Sequence, residues 1–326
     1  MKSSLILILI SFQIFLINSD EQITFDKLLL DLKKDAKMKK MAIAGADIPE
    51  TLKTSRLAKD MKIGDSILIG NEEKIRKIAE ESDIDISDFQ IVNLNDRTEI
   101  SRYAVKLVHD GDADMYVKGN IETRDVLKAV LDNEIGLKMP DELISLVGVF
   151  EIDGKFKYLT DPSVIPYPTL QMKVQIINNV VRFAYSTGLK NPKVAAVAAI
   201  SIPNSRMPET TEAEQLTKMN EQGLIKDCIV DGPLSFDLAI SPESAKIKHS
   251  QRKINGDADI ILFPDVHAAN IAYKILTHLS NVKSGNIIIG TRQPVILSSR
   301  SDTVDVKLNS IILGFTYDKF KQHKGK

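Results

Sequence analysis

Apolar residues occur in short, uninterrupted runs in the C-terminal part of the chain, and each run ends in small, polar or bend-forming residues. Four such runs cover positions 228–230, 260–263, 287–289 and 295–297. Runs of this length without polar alternation predict strands that are buried on both faces of a parallel sheet. Ligands of open α/β sheets bind beyond the carboxyl ends of the strands. We therefore expect the functional residues among the polar positions that follow these runs.

Strand-like and helix-like segments alternate from Thr24 onwards. Amphipathic stretches predict helices at 25–37, 49–62, 72–80 and 99–109, and apolar runs predict strands at 41–44, 66–69, 90–94 and 114–117. This alternation indicates an α/β fold with a mainly parallel sheet and helices on both faces.

A β-hairpin is predicted to interrupt the alternation, because the favourable turn Asp153-Gly154 separates the apolar segments 143–152 and 157–159. We therefore expect a second domain to begin near Pro140. The strand–helix pattern resumes after a long predicted helix. An amphipathic helix then closes the chain, with apolar positions at 304, 308, 311, 312 and 315. That helix needs a sheet to cover, which allows the chain to return to the first domain.

Composition limits the classes of partner. The 326 residues have room for two domains, and 43% hydrophobic with 27% charged residues is ordinary for a globular protein. The formal net charge of −1 does not indicate a nucleic-acid partner or a stable membrane partner. The single cysteine, Cys228, lies inside an apolar run and is interpreted as a buried structural thiol rather than a nucleophile. The five histidines lack metal-ligand spacing, so no metal is expected.

The N-terminus has the layout of a signal peptide. Met1-Lys2 precedes an apolar run at 5–17, which is too short for a comfortable membrane span. A misassigned start and a fused leader are the alternative explanations. We treat residues 1–22 as a signal-like leader outside the fold.

Six segments of the chain, in this order and spacing, resemble the phosphate acetyltransferase and phosphate butyryltransferase family, and the butyryl branch matches more closely. They begin at residues 112, 159, 202, 231, 256 and 294, and read DADMYVKGNIETRDVLKAVL, LTDPSVIPYPTLQMKVQIINN, IPNSRMPETTEAEQLTKMNEQGLIKDCIV, DGPLSFDLAIS, GDADIILFPDVHAANIAYKIL and PVILSSRSD. The resemblance implies two α/β domains of the isocitrate/isopropylmalate dehydrogenase-like type with a cleft between them. The first would comprise 23–139 plus 289–326, and the inserted second domain 140–288. The resemblance also implies that the protein forms a homo-oligomer.

The resemblance further implies an acyltransferase that moves a short acyl group reversibly between coenzyme A and inorganic phosphate. Transfer would be direct, without a covalent enzyme intermediate, and coenzyme A would be a co-substrate rather than a tightly bound cofactor. Such a reaction needs cations or dipoles for phosphate, donors for an oxyanion and a base near the thiol. Because coenzyme A is held inside cells, this chemistry predicts a cytoplasmic protein, whereas the signal-like leader leaves export open.

The pair Ser299-Arg300 is the main catalytic candidate. The guanidinium can hold a phosphate in a bidentate manner and the hydroxyl can donate to an oxyanion. Ser298 and Asp302 follow the butyryl-type pattern. The acetyl branch has a proposed base where this chain has Val306, so Asp305, one position earlier, is the candidate base; a solvent-exposed helix acid is the alternative.

A second candidate group lies where a predicted strand meets a helix, at Lys118-Gly119-Asn120 and Thr123. Backbone N–H groups and the helix dipole favour an anion there, Lys118 adds charge, and Gly119 permits close approach. Lys128 stands where the acetyl branch has an Arg that meets coenzyme A, and a solvated helix lysine is the alternative.

Further candidate binding residues match polar positions of the family: Thr160, Asp161, Asn204, Asp231, Gly232 and Asn270. For the acids, capping of the next helix is the alternative role. Ile165 and Ala269 replace an Asn and a Gly that are usual in the family. Together with Val306, they motivate an alternative function, a catalytically weakened relative that binds coenzyme A esters or a related anion without efficient turnover. An oxidoreductase is disfavoured because no Gly-x-Gly-x-x-Gly follows a strand.

Overall fold

Helices and strands alternate through the part of the chain that this computed structural model describes, residues 23–35 and 38–324. The strands are β1 (Lys39–Ala44), β2 (Gly64–Gly70), β3 (Gln90–Asn93), β4 (Met115–Lys118), β5 (Ser145–Ile152), β6 (Lys155–Thr160), β7 (Lys193–Val197), β8 (Ile229–Leu234), β9 (Ile260–Leu262), β10 (Lys283–Ile289) and β11 (Val295–Ile296). The helices are α1 (Phe25–Leu32), α2 (Pro49–Asp60), α3 (Glu72–Glu81), α4 (Arg97–Asp110), α5 (Thr123–Val130), α6 (Leu170–Ser186), α7 (Pro208–Glu221), α8 (Phe236–Ile240), α9 (Pro242–Ile247), α10 (Val266–Leu279) and α11 (Val304–Lys324). The signal-like segment 1–22 lies outside the described residues.

The strands form one sheet, in the order β3-β2-β1-β4-β11-β10-β5-β6-β9-β7-β8. The strands from β3 to β11 are mutually parallel, and so are those from β6 to β8. Between these two halves, the pairs β11–β10, β10–β5 and β5–β6 are antiparallel. The structure thus confirms an α/β fold with a large, mostly parallel sheet flanked by helices, and β5 and β10 join its two halves.

The antiparallel centre brings the carboxyl ends of both halves together. Three reversals of direction make β6 run opposite to β11. In β11, Val295 pairs with Ile288 of β10, which pairs with Leu146 of β5. In β6, Thr160 pairs with Val147 of β5. Because β11 and β6 end beside adjacent residues of β5, the polar segments that follow them meet near the middle of the sheet.

The hairpin and the C-terminal helix follow the predictions. Asp153 and Gly154 have φ angles of 50° and 73°, and they form the turn between β5 and β6. Four of the five predicted apolar positions of α11 are buried, among them Ile311 and Phe315, while Val304 is partly exposed; the helix packs on β10 and against α1 and α2. Gly285 of β10 permits this packing, since a Cβ there would lie 2.9 Å from the backbone nitrogen of Ser310. Each such apolar side chain contributes about 1.5–3 kcal/mol by burial.

Two strand predictions were wrong in detail. Strand β8 does not end at Val230 but continues to Leu234, and its register with β7 shifts between Ala195 and Val197. Strand β10 is antiparallel to both of its neighbours, so Gly290 does not lie at the edge where Ser298 follows β11. A buried strand shows the same apolar run in either direction, and periodicity therefore does not encode strand direction.

Candidate functional site

A cavity of about 350 Å³ lies where the carboxyl ends of β4, β11 and β6 approach one another. Its walls come from both halves of the sheet and from α10: Lys118, Glu122, Thr123, Leu146, Pro162, Ser163, Asn270, Tyr273, Lys274, Asn286 and residues 297–302. Seven of the sequence candidates are among them, namely Lys118, Thr123, Asn270, Ser298, Ser299, Arg300 and Asp302. The polar tails predicted from the apolar runs are thus brought together in space.

The turn after β4 is packed closely against the turn after β1. The N–H of Gly119 donates to the carbonyl of Ala44 at 2.8 Å, and the N–H of Asn120 donates to the carbonyl of Gly45 at 2.7 Å. A Cβ at Gly119 would lie 2.1 Å from the Gly45 carbonyl oxygen, so only glycine fits. This contact fixes Lys118 at the cavity wall and places the N-terminus of α5 beside it.

Lys118 is a buried cation at the base of the cavity. Its side chain is 4% exposed, and its Nζ donates to the Ser298 carbonyl oxygen at 3.0 Å. Burial, followed by the positive charges of Lys307 and Arg300, lowers the pKa of Lys118 to about 8, against smaller opposing effects of Asp302 and Glu122. An ammonium group in this position gains from any anion that enters the cavity.

The segment 298–302 is held from its other side by α11. Lys307, which is 3% exposed, donates from Nζ to the Ser299 carbonyl oxygen at 2.6 Å. The Asp302 carboxylate is buried and accepts a hydrogen bond from the Ser299 N–H at 2.7 Å. Burial lowers the pKa of Lys307. Two buried lysines therefore hold two successive carbonyl groups, and Asp302 folds the loop back on itself.

Arg300 forms an ion pair that the sequence did not predict. One guanidinium nitrogen lies 2.6 Å from Oε1 of Glu122, the residue that precedes α5. This hydrogen bond and the positive charge of Arg300 lower the pKa of Glu122. Both side chains are about half exposed, so the pair contributes little to stability and the guanidinium can exchange partners.

Asp161 organises the loop after β6. Its carboxylate accepts backbone hydrogen bonds from Ser163 and Val164 at 3.0 Å, and from Ile165 at 3.2 Å. Burial raises the pKa of Asp161 to about 6, and these backbone hydrogen bonds oppose the effect. The Thr160 hydroxyl donates to the Leu146 carbonyl at 2.9 Å. Thr160 and Asp161 are thus buried supports of the loop, and the next helix is capped by Thr169 instead.

Helix α10 supplies the far wall. Asn270 donates from Nδ2 to the Pro162 carbonyl at 2.8 Å and thereby ties the loop after β6 to the helix. Tyr273 and Lys274 follow one turn later and also line the cavity. Ala269, which stands where the family usually has Gly, is fully buried and faces the core.

Nine sequence candidates do not line this cavity: Gly119, Asn120, Thr160 and Asp161, which lie in the supporting turns described above, and five others. Lys128 and Asp305 are exposed on α5 and α11. Asp231 is buried in an ion pair with Arg252 at 3.2 Å and accepts a backbone hydrogen bond from Ile254. The other two are Asn204 and Gly232.

Asn204 and Gly232 serve local structure. The Asn204 side chain accepts a backbone hydrogen bond from Arg206 at 2.9 Å in the turn before α7. Gly232 permits close packing of β8 on β7, because a Cβ there would lie 2.8 Å from the Ala196 carbonyl oxygen. For Asp305, a shift of one position along a helix is a rotation of about 100°, which is enough to move a side chain from the cavity to solvent.

The sequence candidates did not include several polar residues at or next to the cavity, among them Glu122, Asn286 and Lys307. Lys307 carried a detectable signal, since it is a cation within the apolar stretch of the C-terminal helix. Asn286 directly precedes the apolar run 287–289 in β10 and follows other polar residues of that strand, so it did not stand out. Glu122 had no signal of its own, because an acid before a helix is ordinary capping chemistry.

Other features of the described residues bear on the early expectations. Cys228 is partly buried, and burial raises its pKa to about 12, which agrees with a structural thiol. No cluster of His, Cys, Asp or Glu in the described ranges could hold a metal ion. None of the described helices has the length and hydrophobicity needed to cross a membrane.

Comparison with known proteins identifies the relatives of this chain. The model of the phosphate acetyl/butaryl transferase family matches residues 97–315. A phosphate butyryltransferase of Clostridium acetobutylicum is 40% identical over 292 residues, covering 89% of this chain and 96% of the relative. A phosphate acetyltransferase of Thermotoga maritima is 40% identical over 283 residues, covering 86% and 96%.

Solved structures agree with these relatives. A branched-chain phosphotransacylase from Enterococcus faecalis superposes with a TM-score of 0.75 at 31% identity, covering 86% of this chain and 99% of that protein. A 4-hydroxythreonine-4-phosphate dehydrogenase from Klebsiella pneumoniae shares the fold alone, with a TM-score of 0.51 at 12% identity over 86% of this chain and 100% of that protein. From the matched family model and the extent of identity, the chain belongs to the phosphate acetyl/butaryl transferase family.

Proposed function

We propose that this protein transfers a short acyl group reversibly between coenzyme A and inorganic phosphate. Membership of the phosphate acetyl/butaryl transferase family supports the reaction class. The observation that carries the proposal is the cavity, in which Lys118 and Arg300 face polar side chains of the other half of the sheet.

Phosphate binds at the cationic side of the cavity in this proposal. Lys118 supplies a buried charge, and the N-terminus of α5 at Thr123 supplies backbone N–H groups. Arg300 turns from Glu122 to the phosphate, because a dianion competes well for a half-exposed guanidinium. The Ser299 hydroxyl, next to Arg300, is a further donor.

Transfer is direct in the proposed mechanism. The described residues that line the cavity include neither His nor Cys, so there is no activated Ser–His or Cys–His pair to form an acyl-enzyme. Phosphate itself acts as the nucleophile towards the thioester. The buried cations position it and neutralise part of its charge.

The acid that assists the thiol is Asp302 rather than Asp305 in this proposal. Asp302 is buried at the cavity wall, whereas Asp305 is exposed outside it. Asp305 was the candidate because of its place in the family pattern, one position before Val306, but it lies on α11, which begins after the loop 298–302 that lines the cavity.

Several finer assignments remain part of the proposal. The butyryl-type relatives suggest an acyl group of about four carbons, in accordance with the closer sequence resemblance to that branch. The halves 23–139 plus 289–326 and 140–288 would move as two domains about the central strands. A homo-oligomer is proposed from the family resemblance alone, and an intracellular location is proposed because coenzyme A is an intracellular substrate.

The second candidate function is a weakened relative that binds coenzyme A esters without efficient turnover. Ile165 motivates it, because an aliphatic side chain replaces an amide usual in the family and the residue is 9% exposed beside the loop after β6. Ala269 replaces a Gly on the buried side of α10.

A thiol-trapping assay separates the two functions. Acetyl-, butyryl- and branched-chain acyl-CoA are incubated with the protein, with and without phosphate, and release of coenzyme A is followed. Phosphate-dependent release supports acyl transfer. Binding of butyryl-CoA in a calorimeter without phosphate-dependent release would support the weakened relative instead.

A further inference from the structure

The cavity wall also contains two polar, uncharged side chains, and the Nζ of the further lining cation Lys274 lies 5.9 Å from the ring centroid of one of them, Tyr273. Tyr273 on α10 is 5% exposed and Asn286 on β10 is 2% exposed, and both line the cavity. Neither side chain carries a charge. They therefore differ in kind from Lys118 and Arg300, which suit a phosphate.

A hydrogen bond between the two side chains sets the direction of the phenol. Nδ2 of Asn286 donates to Oη of Tyr273 at 3.2 Å. An oxygen that accepts this bond keeps its own proton for another partner. Among the described residues, none accepts that proton, and Oδ1 of Asn286 and Oγ of Ser298 also lack a hydrogen-bond partner there. Buried polar atoms without partners are costly, and two of those found among the described residues, Asn286 Oδ1 and Ser298 Oγ, belong to residues that line this cavity.

The Tyr273 ring is held firmly in place. Its centroid lies 5.4 Å from that of Phe150 in an edge-to-face contact. On the strand side it lies against Gly148, where a Cβ would be 2.8 Å from the ring. Burial, together with the negative charge of Asp302, raises the pKa of Tyr273, so the hydroxyl stays protonated. The structure thus presents a fixed, neutral donor to the cavity.

We propose that Tyr273 is a further donor, in addition to the Ser299 hydroxyl, that binds the carbonyl oxygen of the acyl group, and that Asn286 is the positioning residue that orients the Tyr273 hydroxyl. This inference rests on the proposed acyl transfer and adds a residue to it. A neutral donor suits an oxygen that is uncharged in the thioester and becomes an oxyanion only in the transition state.

The step is balanced as follows. An oxygen of hydrogen phosphate forms a bond to the thioester carbon, and the carbonyl π pair moves to the oxygen held by Tyr273. When that pair returns, the carbon–sulfur bond breaks and coenzyme A leaves as a thiolate. The thiolate takes up the proton that hydrogen phosphate loses, and the products are acyl phosphate and coenzyme A. Tyr273 keeps its proton throughout.

Substitution Tyr273→Phe tests the donor, because phenylalanine keeps the ring contacts and removes only the hydroxyl. We expect kcat to fall by about 100-fold or more, as on removal of one oxyanion donor. The KM values for acyl-CoA and phosphate should change by less than about threefold, since the contact is made mainly in the transition state. The matched control is Tyr158→Phe, which removes a buried hydroxyl bonded to Thr187 away from the cavity and should leave kcat unchanged.

Substitution Asn286→Leu tests the positioning role without touching the ring. We expect kcat to fall by about tenfold, and we expect little further loss when Asn286→Leu is added to Tyr273→Phe, because both changes remove one hydrogen-bonded unit. Unfolding curves establish that each variant is folded.

Three outcomes separate the possibilities. If Tyr273→Phe retains kcat within about threefold of wild type, the donor assignment is overturned. A full additive loss in the double variant would overturn the positioning role of Asn286. If the wild-type protein releases no coenzyme A with phosphate, acyl transfer itself fails, and this result is distinct from a failure of the Tyr273 assignment in an active enzyme.

Discussion

Titration of Lys118 should change phosphate binding and stability in opposite directions. The buried ammonium has a pKa lowered to about 8. Below that pH the folded protein holds a cation that attracts phosphate, and above it the group is neutral. Phosphate affinity should therefore fall as the pH rises through about 8, whereas phosphate itself changes its charge little between pH 8 and 10.

The sign for stability is opposite. The unfolded chain keeps the lysine protonated up to its ordinary pKa of 10.5, while the folded protein releases the proton near pH 8. The unfolded state then binds more protons between these values, so the free energy of unfolding rises with pH. Lowering the pKa from 10.5 to about 8 corresponds to about 3 kcal/mol. The free energy of unfolding increases by this amount as the pH rises from about 8 to 10.5.

Substitution Lys118→Met isolates both effects. The free energy of unfolding is measured with urea for wild type and variant at pH 7.5 and at pH 10. Relative to the variant, the wild type should gain about 2–3 kcal/mol between pH 7.5 and pH 10. Calorimetric titration with phosphate should show pH-dependent affinity only in the wild type.

Lys321→Met is the matched control, because burial also lowers the pKa of Lys321 to about 8 but its Nζ bonds to the Arg292 carbonyl far from the cavity. That variant should alter the pH dependence of stability without changing phosphate affinity. A pH-independent stability difference between wild type and Lys118→Met would refute the reasoning.

Four further substitutions probe the loop 298–302 and the start of α11. Arg300→Lys should leave the fold intact but remove about 2–4 kcal/mol of transition-state stabilisation, because a point charge replaces a planar fork; wild-type kcat/KM in the variant would show that Arg300 is structural. Lys307→Met should lower the free energy of unfolding by about 1.5–3 kcal/mol through loss of the charged hydrogen bond to the Ser299 carbonyl, and should lower kcat; an unchanged urea midpoint would contradict this. In the direction that consumes acyl phosphate, the rate of Asp302→Asn should be lowest relative to wild type at neutral pH and should partly recover as the pH rises, while Asp305→Asn keeps wild-type rates. If Asp305→Asn instead shows the larger, pH-dependent loss, Asp305 is the base.

Much of the architecture could be predicted from local patterns. Apolar runs located most strands, amphipathic stretches located the helices, and the Asp153-Gly154 turn identified the hairpin. Prediction failed where one sequence pattern is compatible with two different local structures. The strand β8 passes through Gly232-Pro233 without ending, because β8 is an edge strand, where a residue without an N–H is tolerated.

The candidate site was only partly accessible from the sequence. The residues that follow β4 and β11 were identified because motif and strand end coincide there, and both reach the cavity. Asp231 was a candidate for the same reason, yet its carboxylate bonds to Arg252 and serves the core. A polar residue at a strand end can face a ligand or a neighbouring segment, and only the position of that segment distinguishes the two.

The sequence by itself determined the alternation of strands and helices and the family, since both depend on the order of residues along the chain. Only the tertiary structure decided which residues meet. Glu122 and Arg300 are 178 positions apart and form an ion pair, and Asn286 reaches Tyr273 from a strand whose direction no periodicity could reveal. The physical reason is that local propensity acts over a few residues, whereas the cavity is formed by the three antiparallel pairings at the centre of the sheet, which bring the carboxyl ends of two opposed halves to the same place.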